Sequence, residues 1–167
     1  MTRFINRVGL IVLIALLNEG YAAAQTVRDF QLKDLENNSR TLSELKGSEL
    51  TLIDFWATWC KPCTKAIPQL NKIYDQYRDK GVQILGISCD GPRSISKVGP
   101  VSHALKIKYP VLKDVNSGVF NDLHLQVLPT LLMVNNKGKI IWEHEGYLPG
   151  YEDLVKSAID KNLNAGN

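Results

Sequence analysis

Cysteine is scarce in this chain, which has three cysteines among 167 residues. Domains held together by structural disulfides are usually small, rich in cysteine and even in their cysteine count. A low and odd number therefore excludes that class of scaffold. Cys60 and Cys63 are separated by two residues, and Cys89 is the third cysteine. A zinc site built on the first pair would need two further ligands at suitable spacing, and none is evident.

Long apolar runs are also missing. The longest candidate, Val8–Leu17, has about ten residues, whereas a membrane-spanning helix needs roughly 20. Arg3 and Arg7 flank this run with positive charge, and small residues end at Ala24. This order is typical of a secretory signal peptide. We predict a signal peptide at residues 1–24 and export to the periplasm or another extracytoplasmic space, the alternative being an uncleaved membrane anchor.

Excess charge of one sign is absent too. The formal net charge is +3, and lysine and arginine form no stripe interleaved with aromatic residues, which excludes nucleic acid as a partner. The chain shows neither an internal repeat nor a linker, and its length suits a single domain. We place that domain at residues 25–167 and expect a monomer.

The two close cysteines lie where a strand leads into a helix. Residues 49–57 are a short apolar run typical of a buried strand, and apolar residues recur at helical spacing over 63–80. Cys60 is thereby placed at the start of the helix, where the positive end of the helix dipole favours a thiolate. The ammonium group of Lys61 acts in the same direction. The pattern predicts dithiol–disulfide redox chemistry.

The rest of the chain alternates short strands and helices. It predicts a hairpin over 28–42, a second buried strand over 82–89 parallel to the first, a helical stretch over 94–108 broken at Gly99–Pro100, an antiparallel pair of strands at 131–134 and 139–144, and a final helix over 151–162. Pro68 should kink the redox helix. In the final helix, the inward residues are expected to be Leu154, Val155, Ala158 and Ile159.

Specific motifs resemble those of a known family. Residues 55–63 read Phe-Trp-Ala-Thr-Trp-Cys-Lys-Pro-Cys, Pro68 follows five residues later, and Leu128-Pro129-Thr130 precedes an apolar strand. Over residues 28–160 the chain resembles the TlpA/ResA-like family of exported disulfide oxidoreductases. The resemblance implies an α/β, thioredoxin-like fold: a central mixed sheet flanked by helices, with an N-terminal hairpin and an insertion before the strand that follows a cis-proline.

The resemblance also assigns roles to residues. Cys60 would be the attacking thiolate and Cys63 the resolving thiol, and Pro129 would be cis and opposite the two cysteines, which leaves the preceding backbone free to pair with a substrate. It implies neither cofactor nor metal. The residues expected to contact substrate are Trp59, Lys61, Pro62, Leu128 and Thr130.

Two positions depart from the family pattern. A glutamate is common three residues after the second cysteine, where this chain has Ala66, and Asp54 stands where asparagine is frequent. We predict that Asp54 takes over proton handling by accepting the proton of Cys63, and that burial raises its pKa. Substitution Asp54→Asn should then slow resolution and spare attack by Cys60. The alternative is a carboxyl group that is only buried and hydrogen-bonded.

The function expected from these residues is reduction of disulfides in exported proteins. The resemblance implies clients such as apocytochrome c and a membrane thiol carrier as electron donor. The alternatives are an oxidase of the same fold, a Sco-like copper carrier using His124, and a thiol peroxidase. Cys89 follows a buried strand and is expected to act as a small apolar residue, the alternative being a third redox thiol.

Overall fold

A strand with no exposed residue runs through the middle of the protein. The structure, a computed structural model, describes residues 25–165, and strand β3 (Leu50–Trp56) is buried along its whole length. It lies between β4 (Val82–Ser88), which is parallel to it, and β6 (Thr130–Asn135), which is antiparallel. The buried strand predicted at 49–57 and its parallel neighbour are confirmed, while the signal peptide predicted at 1–24 lies outside the described residues.

The described residues form one sheet with the strand order β2-β1-β5-β4-β3-β6-β7. Its outer strands are β1 (Gln31–Asp34), β2 (Ser39–Thr41), β5 (Val111–Lys113) and β7 (Ile140–Glu145). The helices are α1 (Leu42–Leu45), α2 (Lys61–Tyr77), α3 (Val98–Ala104), α4 (Gly118–Asp122) and α5 (Tyr151–Ala165). The N-terminal hairpin and the strand–turn–strand at the far edge both agree with the sequence pattern.

Alternate residues of β3 serve two cores, one on each face of the sheet. Leu50 and Leu52 pack with residues of α2 and α5. Ile53 and Phe55 pack on the opposite face, where the Phe55 ring meets the Phe120 ring of α4 edge-on at 5.9 Å. The helix that carries the cysteine pair therefore covers one defined face of the sheet.

Helix α2 forms because its apolar residues share one stripe. That stripe faces the sheet and is buried at Ile67, Leu70, Ile73 and Tyr77. The helix continues without a break through Pro68, which is exposed. A proline inside a helix removes one backbone hydrogen bond, but here the packed stripe maintains the helix over 17 residues.

Two local predictions were wrong. The helical stretch is not broken at Gly99–Pro100, because both residues lie in the first turn of α3, where a backbone N–H has no partner within the helix and proline is tolerated. Leu154 was expected to face inward but is 43% exposed, since it lies at the edge of a stripe centred on Val155 and Ile159. Within residues 25–165, no helix combines the length and apolar character that crossing a bilayer requires.

Candidate redox site

The two close cysteines meet at the first turn of α2. Cys60 is the N-cap residue, and its Sγ accepts a hydrogen bond of 3.2 Å from the backbone N–H of Cys63. The two sulfur atoms are bonded to each other, and their Cα atoms are 5.3 Å apart. Because the backbone N–H groups of a helix N-terminus stabilise negative charge, reduction of this bond leaves Cys60 in a place that favours its thiolate.

The two sulfurs differ in their access to the outside. Cys60 is 5% exposed and lines an open cavity, whereas Cys63 is 1% exposed and does not line it. Both belong to an apolar cluster with Trp56 and Ile67. Of the two sulfur-bearing residues, Cys60 is therefore the one that borders the cavity.

The cavity at Cys60 has a volume of about 600 Å³, and we call it the redox groove. Four of the residues predicted to contact substrate line it, namely Trp59, Lys61, Pro62 and Leu128. Trp59 is 65% exposed, and Val127, which also lines the groove, is 43% exposed. Large apolar side chains exposed at the rim of a groove are typical of a surface that binds another molecule.

Thr130, the fifth residue predicted to contact substrate, does not line the groove. It is fully buried, and its hydroxyl donates to the carbonyl of Val127 at 2.8 Å. Thr130 is the first residue of β6 and pairs with Phe55 of β3, so its side chain belongs to the core. Its contribution is to hold the Val127–Pro129 loop against the sheet.

The peptide between Leu128 and Pro129 is cis, as expected. Leu128 packs against the cluster that contains both cysteines and lines the redox groove. The carbonyl of Pro129 accepts a hydrogen bond of 2.7 Å from the N–H of Gly146. Within residues 25–165, nothing hydrogen-bonds to the backbone N–H or carbonyl of Leu128, so both groups remain available at the edge of the groove.

Asp54 introduces a carboxyl group into the core. It is 1% exposed, and burial raises its pKa to about 7, while a hydrogen bond from Tyr109 acts in the opposite direction. Asp54 shares the face of β3 that Leu52 and Trp56 occupy, which α2 covers. The raised pKa predicted from the sequence agrees with this burial, and the carboxyl group lies under the helix that bears Cys63.

Asp90, which was not among the residues predicted for the site, holds the turn before Cys60. Its buried carboxylate accepts the N–H of Thr58 at 2.8 Å, the hydroxyl of Thr58 at 2.6 Å and the hydroxyl of Ser88 at 2.9 Å. These bonds join the end of β4 to the redox turn. The signal available in the sequence was an acidic residue placed just after a buried parallel strand, at the edge that also holds the Cys60 turn.

Cys89 lines the redox groove but is not bonded to another cysteine. Burial is the main cause that raises the pKa of its thiol, and the nearby carboxylates of Asp114, Asp54 and Asp90 raise it further. Its side chain packs against the core cluster on the α4 face of the sheet. A thiol that resists ionisation is a poor nucleophile, which favours the apolar interpretation over a third redox thiol.

His124 lies away from the cysteine pair. It borders a different cavity, formed with the N-terminal segment around Gln25–Phe30. In the part of the chain that the structure describes, no three side chains of His, Cys, Asp or Glu are grouped to hold a metal ion. The structure therefore does not bring His124 to Cys60 and Cys63 as a copper site would require.

Known proteins that are similar in sequence include thiol-disulfide oxidoreductases, which agrees with a redox-active cysteine pair. The AhpC/TSA family model matches residues 23–143. A thiol-disulfide oxidoreductase ResA of Halalkalibacterium halodurans is 30% identical over 83% of this chain and 76% of its own length. The ResA of Geobacillus thermodenitrificans is 32% identical over 71% of this chain and 67% of its own length.

Solved structures show the same fold. A thioredoxin-like protein of Porphyromonas gingivalis superposes with a TM-score of 0.71 at 26% identity, covering 84% of this chain and 94% of its own. The mixed sheet, the flanking helices and the bonded cysteine pair at a helix N-terminus are thus those of a thioredoxin-like fold. The chain belongs to the AhpC/TSA family and, within it, to the ResA-like thiol-disulfide oxidoreductases.

Proposed function

We propose that this protein is an exported reductase of protein disulfides, in which Cys60 attacks and Cys63 resolves. The observation that carries the assignment of roles is the unequal access of the two sulfurs. Cys60 lines the redox groove at the N-terminus of α2 and is 5% exposed, and Cys63 does not line the groove and is 1% exposed. An attacking thiolate has to reach its target, whereas a resolving thiol only has to reach its neighbour.

The reaction divides into two exchanges. The Cys60 thiolate attacks one sulfur of the client disulfide, and the electron pair of that bond leaves with the other client sulfur as a thiolate. Cys63 then attacks Cys60 in the mixed disulfide and releases the second client sulfur as a thiolate, while Asp54 takes the Cys63 proton. The client has gained two electrons, and the protein ends in the disulfide form that the structure shows.

Positioning of the client follows from the groove. The unpaired backbone groups of Leu128 suit an extended client segment, which would add hydrogen bonds there. Trp59 and Val127, which line the groove with Cys60, offer exposed apolar contact. Lys61 and Pro62 border the same groove, so the client cysteine would enter between the redox turn and the Leu128–Pro129 loop.

Export and partners rest on the resemblance and on the N-terminal pattern of residues 1–24. Family members of this type keep selected exported thiols reduced, such as the haem-attachment cysteines of apocytochrome c, and take electrons from a membrane thiol carrier. We propose the same place for this protein. Mass determination of the protein recovered outside the cytoplasm tests the signal peptide, since cleavage after Ala24 gives a mature chain beginning at Gln25.

Trapping of the mixed disulfide tests the reductase reaction. The protein is expressed in cells with two substitutions, Cys63→Ser and Cys89→Ala. Client proteins should accumulate in a disulfide with Cys60, and a reducing agent should release them. Capture of apocytochrome c or its maturation partners defines the proposed role, and capture of many unrelated exported proteins defines a general one. The matched variant Cys60→Ser should capture far less, and equal capture by both variants contradicts the assignment of roles.

The direction of electron flow is tested separately. The purified protein is equilibrated with glutathione buffers, and the fraction of Cys60–Cys63 disulfide is measured by thiol trapping. A reductase keeps a low potential and stays oxidised until the buffer is strongly reducing, whereas an oxidase of the same fold is reduced in mildly reducing buffer. The second result would replace the reductase by an oxidase.

A further inference from the structure

Asp54 has a single hydrogen-bond partner in the part of the chain that the structure describes. The hydroxyl of Tyr109 donates to Oδ2 of Asp54 at 3.4 Å, and Oδ1 has no partner. Both residues are buried, with 1% of Asp54 and 4% of Tyr109 exposed. A buried carboxylate depends on the few donors it can reach. The Tyr109 hydroxyl is therefore the described group that can stabilise the Asp54 charge by a hydrogen bond.

The Tyr109 ring reaches Asp54 because β4 has a glycine at the crossing point. Gly86 pairs with Asp54 in the sheet register. A Cβ atom at position 86 would lie 3.2 Å from Cε2 of Tyr109 and 3.3 Å from Nε1 of Trp56. These distances are tighter than ordinary van der Waals contact, so any side chain there would press on the tyrosine.

Helix α2 holds the segment that brings Tyr109 to this place. The side-chain amide of Asn71 donates to the carbonyls of Leu105 and Lys106, and its oxygen accepts the N–H of Lys108. The Tyr74 ring meets the Tyr109 ring edge-on at 6.0 Å. The helix that carries Cys63 therefore also fixes the tyrosine.

Strand β4 holds the backbone that follows Tyr109. The N–H of Gly86 donates to the carbonyl of Pro110 at 2.9 Å, directly after Tyr109. The tyrosine is thus constrained on its ring, on the preceding backbone and on the following backbone. Such a side chain loses little further freedom when it binds a carboxylate.

We propose that Tyr109 is a positioning residue of the redox reaction: its hydroxyl, admitted by Gly86, holds Oδ2 of Asp54 and stabilises the carboxylate that accepts the Cys63 proton. This rests on the acceptor role proposed for Asp54. A hydroxyl that donates to a carboxylate favours the ionised form. Tyr109 therefore counteracts the burial of Asp54 and keeps the acceptor usable near neutral pH.

The pH dependence involves few other groups. The titratable side chains that sense the Asp54 charge are Tyr109 itself, Tyr151 from α5 and Cys89 from the end of β4. On α2, Cys63 faces the same core and does not titrate while it is bonded to Cys60. Measurement on the oxidised protein thus isolates the carboxyl group from the cysteine pair.

The test compares two matched variants, Tyr109→Phe and Tyr151→Phe. Each removes one buried tyrosine hydroxyl, but that of Tyr151 donates to no described group. The Asp54 carboxyl is titrated by carbon NMR in the oxidised protein. Tyr109→Phe should raise its midpoint by about one pH unit, the lower end of what a hydrogen bond to a charged group contributes, and Tyr151→Phe should not raise it.

The rates of attack and resolution are measured by mixing the reduced protein with a symmetrical aromatic disulfide whose thiolate is coloured. Attack by Cys60 releases the first thiolate and resolution by Cys63 releases the second, so the two phases separate. At pH 7, Tyr109→Phe should slow the second phase about fivefold, because a rise of one unit from about 7 leaves roughly a tenth of Asp54 ionised. The first phase should be unchanged.

Three results would overturn the proposal. They are a midpoint of the Asp54 titration that is the same in Tyr109→Phe as in the wild type, a midpoint that rises equally in Tyr151→Phe, and a midpoint that rises in Tyr109→Phe while Cys63 resolves at the normal rate.

The variant Asp54→Asn is measured in parallel. If it resolves normally, the acceptor role of Asp54 fails, and the titration still decides whether Tyr109 holds the carboxylate. Gly86→Ala is a second variant, which keeps the Tyr109 hydroxyl. It should also raise the midpoint of the Asp54 titration, because the added Cβ displaces the Tyr109 ring.

Discussion

Asp54 is the residue whose chemistry depends most on its surroundings. Its neighbours on the same face of β3 are Leu52 and Trp56, and the carboxyl group has little contact with water. A carboxylate in such a place loses its hydration without gaining a positive partner. Function and stability therefore make opposite demands on this position, because a proton acceptor in the core must be partly ionised at working pH.

Substitution Asp54→Asn should make the oxidised protein more stable than the wild type above neutral pH. The pKa of Asp54 is about 7 in the folded protein and 3.8 in the reference state. The folded protein thus holds the proton more tightly, and the stability that this contributes is fully present below the lower value and is lost as pH rises through the upper one. Over that interval the wild type should lose about 4 kcal/mol relative to the variant.

Urea unfolding of both proteins from pH 4 to pH 8 measures this difference. The free energy of unfolding of the wild type should fall relative to that of Asp54→Asn until about pH 7 and then run parallel to it. Curves that stay parallel throughout would show that the Asp54 carboxyl titrates alike in the folded and unfolded protein. The proposed proton acceptor would then lack its physical basis.

The redox turn depends on an element from elsewhere in the chain. Asp90, just beyond β4, binds both the backbone and the side chain of Thr58, which lies two residues before Cys60. Strands β3 and β4 are parallel neighbours, so their carboxyl ends meet at one edge and the two loops can join. The loop that follows β4 thereby fixes the turn that leads into α2.

Substitution Thr58→Val should lower the free energy of unfolding by about 1–2 kcal/mol, because the buried Asp90 carboxylate loses a hydroxyl donor. It should also slow the attack phase, since the turn that presents Cys60 is held less firmly. The control is Thr64→Val, whose hydroxyl donates to the carbonyl of Lys61 at an exposed place on the helix. Urea unfolding and the two-phase disulfide assay check both variants, and equal effects would contradict a specific role for the Thr58–Asp90 contact.

At the scale of the whole fold, apolar cores on the two faces of the sheet hold the described residues 25–165 together. Leu52 is fully buried in the core shared by α2 and α5. The ion pair that joins the same two helices, Lys72 with Glu152, is partly exposed and contributes at most about 1 kcal/mol. Apolar burial therefore decides whether α2, with its cysteine pair, stays on the sheet.

A pair of leucines tests this at the level of the whole fold. Leu52→Ala should lower the free energy of unfolding by about 3 kcal/mol, because it leaves a cavity at the centre of the sheet. Leu154→Ala, at a side chain that is 43% exposed, should change it by less than about 1 kcal/mol. Thermal or urea unfolding measures both, and similar losses would show that α5 packs differently from the arrangement described.

The sequence was sufficient wherever a feature depends on neighbouring residues. The redox turn, the hairpins and the stripe of α2 follow from local patterns of strand, turn and helix, which repeat over a few residues. The identity of the cis-proline loop followed from a resemblance of motifs. Leu154 and the Gly99–Pro100 segment were misjudged because the edge of a stripe and the exact first turn of a helix are set by packing and not by pattern.

What the sequence alone determined is that two cysteines begin a helix after a buried strand and that this pair carries redox chemistry. Only the tertiary structure decided which cysteine borders the groove, that Asp90 holds the turn and that Tyr109 reaches Asp54. Thr58 and Asp90 are 32 positions apart, and Asp54 and Tyr109 are 55 apart. Contacts over such distances depend on which strands become neighbours and which loops meet at one edge of the sheet, and a pattern read over a few residues does not specify either.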